Sequence, residues 1–145
     1  MPDYNNTCIY KICCIDTDIT EIYVGHTTNF IERERCHLCR CNNENGNHYF
    51  NYIYYFIREN GGWDNWEMIK LYDYPCNLRK EAEIEERKCY NELDAKLNMV
   101  KPHKTYNDFR ECSKKYFLKN RDKINEKRRA KSICPNCNQL LSTYN

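Results

Sequence analysis

Five side chains in this sequence carry groups suited to cutting a phosphodiester: Tyr10, Tyr23, Arg33, His37 and Glu86. A phenol takes a proton from water when nearby cations lower its pKa from the usual value of about 10. A guanidinium matches two oxygens of a phosphate and stabilises the charge that develops there. A carboxylate holds a divalent cation, which polarises the phosphate and helps the leaving oxygen depart. Each residue also has an ordinary reading. Any one of 13 tyrosines fits a core or surface aromatic, Arg33 fits a solvated helix position, and a lone histidine fits a structural role. The set gains meaning only if the elements between these residues bring them together.

The elements are readable. TCIYKICCI, Thr7 to Ile15, is dense in β-branched and aromatic residues, the polar DTDIT is turn material, and EIYVG resumes the strand character. A β-hairpin follows, with Ile22 and Val24 on one side of its second arm and Tyr23 and Gly25 on the other. Asn29 is placed to cap a helix running from about Phe30 to Cys41, with Glu32 completing a capping box, and Arg33 and His37 lie one turn apart on it. HYFNYIYYFIREN reads as a second helix or, by its aromatic content, a strand, and its length favours a helix ended by Gly61 and Gly62. WEMIKLYDYP reads as a third strand, with Trp66, Met68 and Leu71 facing inward and Pro75 stopping it. Asn77 then caps a long helix on which Leu78, Ala82, Cys89 and Leu93 recur at helical spacing. Glu86 falls on that apolar stripe, and an inward carboxylate must be paired, hydrogen-bonded or bound to metal. Glu81, Glu83, Glu85 and Glu92 read as solvated surface.

With these elements in place the chain resembles the GIY-YIG nuclease family. Cys8-Ile9-Tyr10 stands where the family has Gly-Ile-Tyr and Tyr23-Val24-Gly25 where it has Tyr-Ile-Gly, and the likeness continues through Asn29, Arg33 and His37. It resumes in EERKCYNELDAKLN, which looks like the family's glutamate helix and closing Leu-Asn, and it covers roughly residues 7–100. IRENGGWDNWEM and YPC are similar to members from large DNA viruses, which points to a viral protein in the host cytoplasm or nucleus. The resemblance implies an α/β (α+β) fold, a small three-stranded antiparallel sheet flanked by helices, in agreement with the hairpin, third strand and helices above. It implies an endonuclease, hydrolysing DNA with Mg2+ or Mn2+ held by Glu86. Arg33 would contact the scissile phosphate, Tyr10 or Tyr23 would activate water with Tyr10 slightly preferred, and His37 would hydrogen-bond a tyrosine or the phosphate. His26 stands where some relatives have lysine and would help to lower a phenol pKa; Gly25 and Asn98 would support the site. Cys8 in place of the first glycine departs from the motif and motivates a second reading, a DNA-binding module of the same fold that no longer cuts.

The charge divides the chain as well. Residues 1–100 hold 11 basic and 17 acidic residues, and residues 101–131 hold 12 basic and 4 acidic. The expected organisation is a nuclease-like domain over 1–101 and a basic helical tail over 102–145. Lys119, Arg121, Lys123, Lys127, Arg128, Arg129 and Lys131 would grip DNA phosphates without reading bases. The 11 cysteines are not spaced as a secreted disulfide framework, and no apolar segment follows the start MPDYNNT, so an intracellular, reducing compartment is expected. No apolar run approaches the ~20 residues that a membrane-spanning helix needs. Cys134 and Cys137 have the spacing of half a Zn2+ site; the second half would come from another copy of the chain, giving a homodimer through the tail, or from Cys112 with a histidine such as His103. Cys36 and Cys39 of CHLCRC share a helix face.

Overall fold

The structure, a computed structural model, describes residues 2–129, 132, 133, 140 and 141. The chain divides into two compact units, Met1–His103 and Lys104–Asn145. The first is α+β, a three-stranded antiparallel sheet with helices on both faces.

The sheet order is β2-β1-β3, with β1 (Cys8–Cys14) between β2 (Tyr23–Thr27) and β3 (Trp66–Asp73). The polar turn closes the hairpin as its composition predicts. Asp18 N donates to the side chain of Asp16, and Ile19 N to its carbonyl. Because β1 has a partner on each edge and a packed layer on each face, Ile9, Tyr10 and Ile12 are wholly buried. Each buried isoleucine contributes about 1.5–3 kcal/mol. The alternation of strand side chains splits the core in two. Tyr10, Ile12, Trp66 and Met68 pack with Cys41 of α1 (Phe30–Asn42) and Ile53, Tyr54 and Ile57 of α2 (Tyr52–Glu59). Ile9 and Val24 pack on the other face with Cys89 of α3 (Arg79–Glu92).

Leu71 does not share the inward side with Trp66 and Met68. It packs beside Ile9 on the α3 face, as an odd step from Met68 requires, and a register shift in the β1–β3 pairing falls between Ile9 and Tyr10.

The cap of α1 is half of what the sequence predicts. Asn29 Oδ1 accepts from Glu32 N at 3.1 Å. Asn29 N, however, donates to Thr27 Oγ1, and Glu32 instead pairs with Arg35. The start of α3 differs more. Asn77 is not its cap; Glu81 reaches back so that its Oε2 accepts from Asn77 N (2.8 Å) and Leu78 N (3.2 Å). With the helix beginning at Arg79, Leu78 precedes it and Leu93 follows it, and both are exposed, whereas Ala82 and Cys89 are buried. Two further glutamates read as solvated also have partners: Glu83 accepts from Arg79, and Glu85 from Tyr72 Oη and Lys88.

The free edge of β2 is covered by the segment after α3. Leu97 N donates to Ile22 O, and the Asn98 side chain makes two bonds to Val24, its Oδ1 accepting from N at 2.9 Å and its Nδ2 donating to O at 2.8 Å. An edge strand otherwise exposes such groups to chance pairing.

The second unit carries α4 (Tyr106–Arg129) and two short paired strands, β4 (Ser132–Ile133) and β5 (Leu140–Leu141). Among the described residues no helix is long and apolar enough to cross a membrane.

Candidate active site

Tyr10 and Tyr23 reach the same face of the sheet, their ring centroids 6.3 Å apart. The Tyr10 ring lies across Gly25, its register partner on β2: a Cβ at 25 would stand 2.5 Å from Tyr10 Oη and 2.6 Å from Cζ. Glycine is therefore the residue that lets this phenol cross the neighbouring strand. The Tyr10 hydroxyl then meets α1. Arg33 Nε donates to it at 2.9 Å, and His37 Nε2 lies 2.9 Å away. Helical spacing of four puts Arg33 and His37 on one face, so both can reach one oxygen.

His37 is fully buried and bridges two phenols, its Nδ1 lying 3.0 Å from Tyr54 Oη. Trp63 stacks on its ring at 6.2 Å. Burial, reinforced by the cations of Arg33 and Arg40, pushes its pKa down to about 3, so the imidazole is neutral at ordinary pH. A neutral ring has one donor and one acceptor nitrogen. The chain Arg33–Tyr10–His37–Tyr54 thus has a direction set by a single proton.

The phenols correct an expectation. Their pKa values are raised, not lowered. For Tyr10 burial is the main cause, followed by Tyr23; for Tyr23 it is burial, then the Glu86 carboxylate. Arg33 opposes both rises without overcoming them.

Glu86 sits on α3 with its side chain 12% exposed, and His26 Nδ1 lies 2.5 Å from Oε2. His26 is on β2 and points to the α3 side, away from Tyr23 and Gly25, so its partner is the carboxylate and not a phenol. Among the described residues Glu86 has no other hydrogen bond. Its second oxygen is left for a cation or water. No group of three or more His, Cys, Asp or Glu side chains converges among the described residues. One carboxylate suits Mg2+, which keeps several waters and takes the rest of its oxygens from a phosphate. Among the described residues Glu86 is thus a single candidate ligand, of the oxygen type that a hard cation takes.

Tyr23, Arg33, His37 and Glu86 line one cleft of about 530 Å3, walled further by Arg40, Tyr54, Asn98 and an apolar rim. Tyr10 lies beneath it and does not reach its surface. Cys8 is buried in β1 and is not part of the lining. Arg33 and Arg40 are in no ion pair among the described residues, so the cleft lining carries two guanidinium groups and one carboxylate, Glu86.

Two members of this arrangement escaped the sequence reading. Arg40 falls three residues after His37 and seven after Arg33, so the helix period carries the signal, hidden among the cysteines of CHLCRC. Tyr54 sits in a run where nearly every position is aromatic or apolar, and no period singles it out. Of the tail residues, Lys119, Arg121, Lys123 and Lys127 are exposed on α4, and Arg128 and Arg129 belong to its last turn. Lys131 and the half-site Cys134 and Cys137 lie outside the described residues. The described cysteines, Cys36, Cys39 and Cys112 among them, are free thiols.

No family model, curated protein or solved structure matches the chain.

Proposed function

We propose that this protein is an endonuclease of the GIY-YIG kind, hydrolysing DNA phosphodiesters with a divalent metal. One observation carries the reading: five chemically suited residues, spread from Tyr10 to Glu86, meet at one small cleft and the layer directly beneath it. The motif order of the sequence and the three-stranded antiparallel sheet support it too.

In this reading the guanidinium of Arg33 is anchored to Tyr10 through Nε and also interacts with Tyr23, and its terminal nitrogens face the cleft where a phosphate would bind. Tyr10 and His37 are the frame that fixes Arg33. Tyr23, the phenol that lines the cleft, meets and orients the attacking water; because burial raises its pKa, it takes the proton only through its minor phenolate form. That assignment departs from the slight preference for Tyr10, because a wholly buried hydroxyl with two protein partners has no place for water. Glu86, oriented by His26, would hold Mg2+ or Mn2+, which would supply positive charge to the phosphate and to the leaving oxygen. A cation held there would remove the Glu86 contribution to the raised pKa of Tyr23, while burial, the larger cause, would remain. The exposed cations of α4, Lys119, Arg121, Lys123 and Lys127, add a phosphate grip that does not read sequence.

Incubation of the full chain with supercoiled plasmid and Mg2+ tests the proposal. Nicking by the wild type and none by Glu86→Ala is the expected result. Equal nicking by both, or none by either across linear, branched and damaged substrates, overturns it.

A further inference from the structure

Beside the polar floor of the cleft rises an apolar rim that phosphate chemistry does not require. Phe50 is 81% exposed, Tyr52 42%, Met99 73% and Val100 63%, and all four line the same cleft as Arg33 and Arg40. Large apolar side chains left open around a concave site mark a binding surface. Phe50 is nevertheless held in place. Tyr49 packs against it edge to face at 5.3 Å, and Arg58 in turn covers the Tyr49 ring at 3.6 Å and donates to the carbonyls of Tyr49 and Cys41. An exposed aromatic backed by a ring that is itself held offers a surface for stacking.

We infer that this rim receives an unpaired nucleotide of a DNA strand, so the cleft selects single-stranded or locally opened DNA. The inference rests on the nuclease reading for the orientation of the strand. In a duplex the faces of a base are covered by its neighbours, and an aromatic side chain stacks on them only when the base has left the stack. Charge favours an anionic occupant, because the cleft is lined by two guanidinium groups, Arg33 and Arg40, against the one carboxylate of Glu86. They stand seven residues apart on α1, about 10 Å along the axis, which suits two phosphates of a strand better than the one group of a free mononucleotide.

The test is binding, measured by fluorescence anisotropy on the full chain with chelator present so that nothing is cut. Labelled single-stranded DNA is compared with duplex of the same length, and free nucleotide and single-stranded RNA serve as competitors. The single strand is expected to bind more tightly than the duplex, although the duplex has the higher charge density. Phe50→Ala should weaken single-strand binding about five- to hundredfold, the range covered by stacking on one base, and leave duplex binding unchanged. Phe50→Ala combined with Met99→Ser should weaken it further. Both sites are exposed, so these changes leave the fold intact, which circular dichroism checks.

Tighter duplex binding, or single-strand binding that neither variant alters, overturns the inference. Competition by free nucleotide as effective as by the strand reassigns the cleft to mononucleotides and overturns it as well, and so does stronger competition by RNA. Loss of plasmid nicking is a separate result that bears on the nuclease reading alone.

Discussion

The ring of Tyr10 occupies the space where a side chain at position 25 would be. A Cβ there would stand 2.5 Å from the phenol oxygen, so Gly25 and Tyr10 are a mutually dependent pair. The clash is with a fully buried ring, which cannot swing into solvent. Gly25→Ala must therefore push the phenol away from Arg33 Nε and His37 Nε2. Overpacking of this kind costs about 1–3 kcal/mol, and chemical denaturation of the variant should show a loss of that size. Nicking should fall more than stability explains, because Arg33 loses its anchor. A variant as active as the wild type would show that the Tyr10 contact is not needed for the site.

The two phenols should separate on removal of their oxygens. Tyr23→Phe deletes the hydroxyl proposed to orient and deprotonate the water and should slow turnover about 10²- to 10⁴-fold, the usual range for a group that moves a proton, with substrate binding little changed. Tyr10→Phe leaves the packed ring but frees Arg33 Nε and His37 Nε2. Its main effect should be weaker substrate binding, with a smaller loss of maximal rate. Single-turnover kinetics at several enzyme concentrations distinguish the two patterns, and the reverse pattern would make Tyr10 the base.

His37 makes stability depend on acid. Its pKa in the folded chain is about 3, against 6.5 for an ordinary histidine. Between those values the unfolded chain binds a proton that the folded chain refuses. The contribution is thus fully present above pH 6.5 and is lost as pH falls toward 3, at about 1.4 kcal/mol per pH unit. Denaturation series between pH 7 and 4.5 should show this slope in the wild type on top of the carboxylate contribution. His37→Asn should be less stable at pH 7 yet lose stability less steeply on acidification. Equal slopes would mean that the imidazole is not held neutral.

His26 holds the carboxylate proposed to bind the metal. Loss of such a partner behind a metal ligand typically costs 10- to 100-fold in affinity. Titration calorimetry with Mn2+ should show His26→Ala weakened by about that factor, and Glu86→Ala should show no binding at the site. Unchanged affinity in His26→Ala would reduce the 2.5 Å contact to a feature of the metal-free chain.

How much of this was legible depends on how local each signal is. The hairpin follows from β-branched and aromatic residues around DTDIT, and the α1 cap from Asn29, because a cap is decided within four residues. Glu86 was placed correctly on the apolar stripe of α3, since Ala82 and Cys89 fix the phase from either side. Leu78 and Leu93 were misplaced because they lie past the helix ends, where the period no longer applies. The Asn98 clamp on Val24 spans 74 residues, and the position of Tyr10 over Gly25 depends on strand register. Neither leaves a local pattern, so the resemblance alone pointed to Asn98 and Gly25, without giving the physical reason for either.

The exposed cations of α4 make a prediction that does not depend on the chemistry. Lys119, Arg121, Lys123 and Lys127 are exposed, so glutamine at all four should leave the helix folded. If each contacts one phosphate, log K against log salt for duplex DNA should become shallower by about 0.9 for each lysine or arginine removed, and thus by about 3 to 4 for the set. The affinity loss should be the same for unrelated sequences, because contacts to phosphate carry no base information. A loss confined to particular sequences would mean that α4 reads bases. A salt slope that stays constant would place the DNA contact in the first unit and leave α4 without a part in binding.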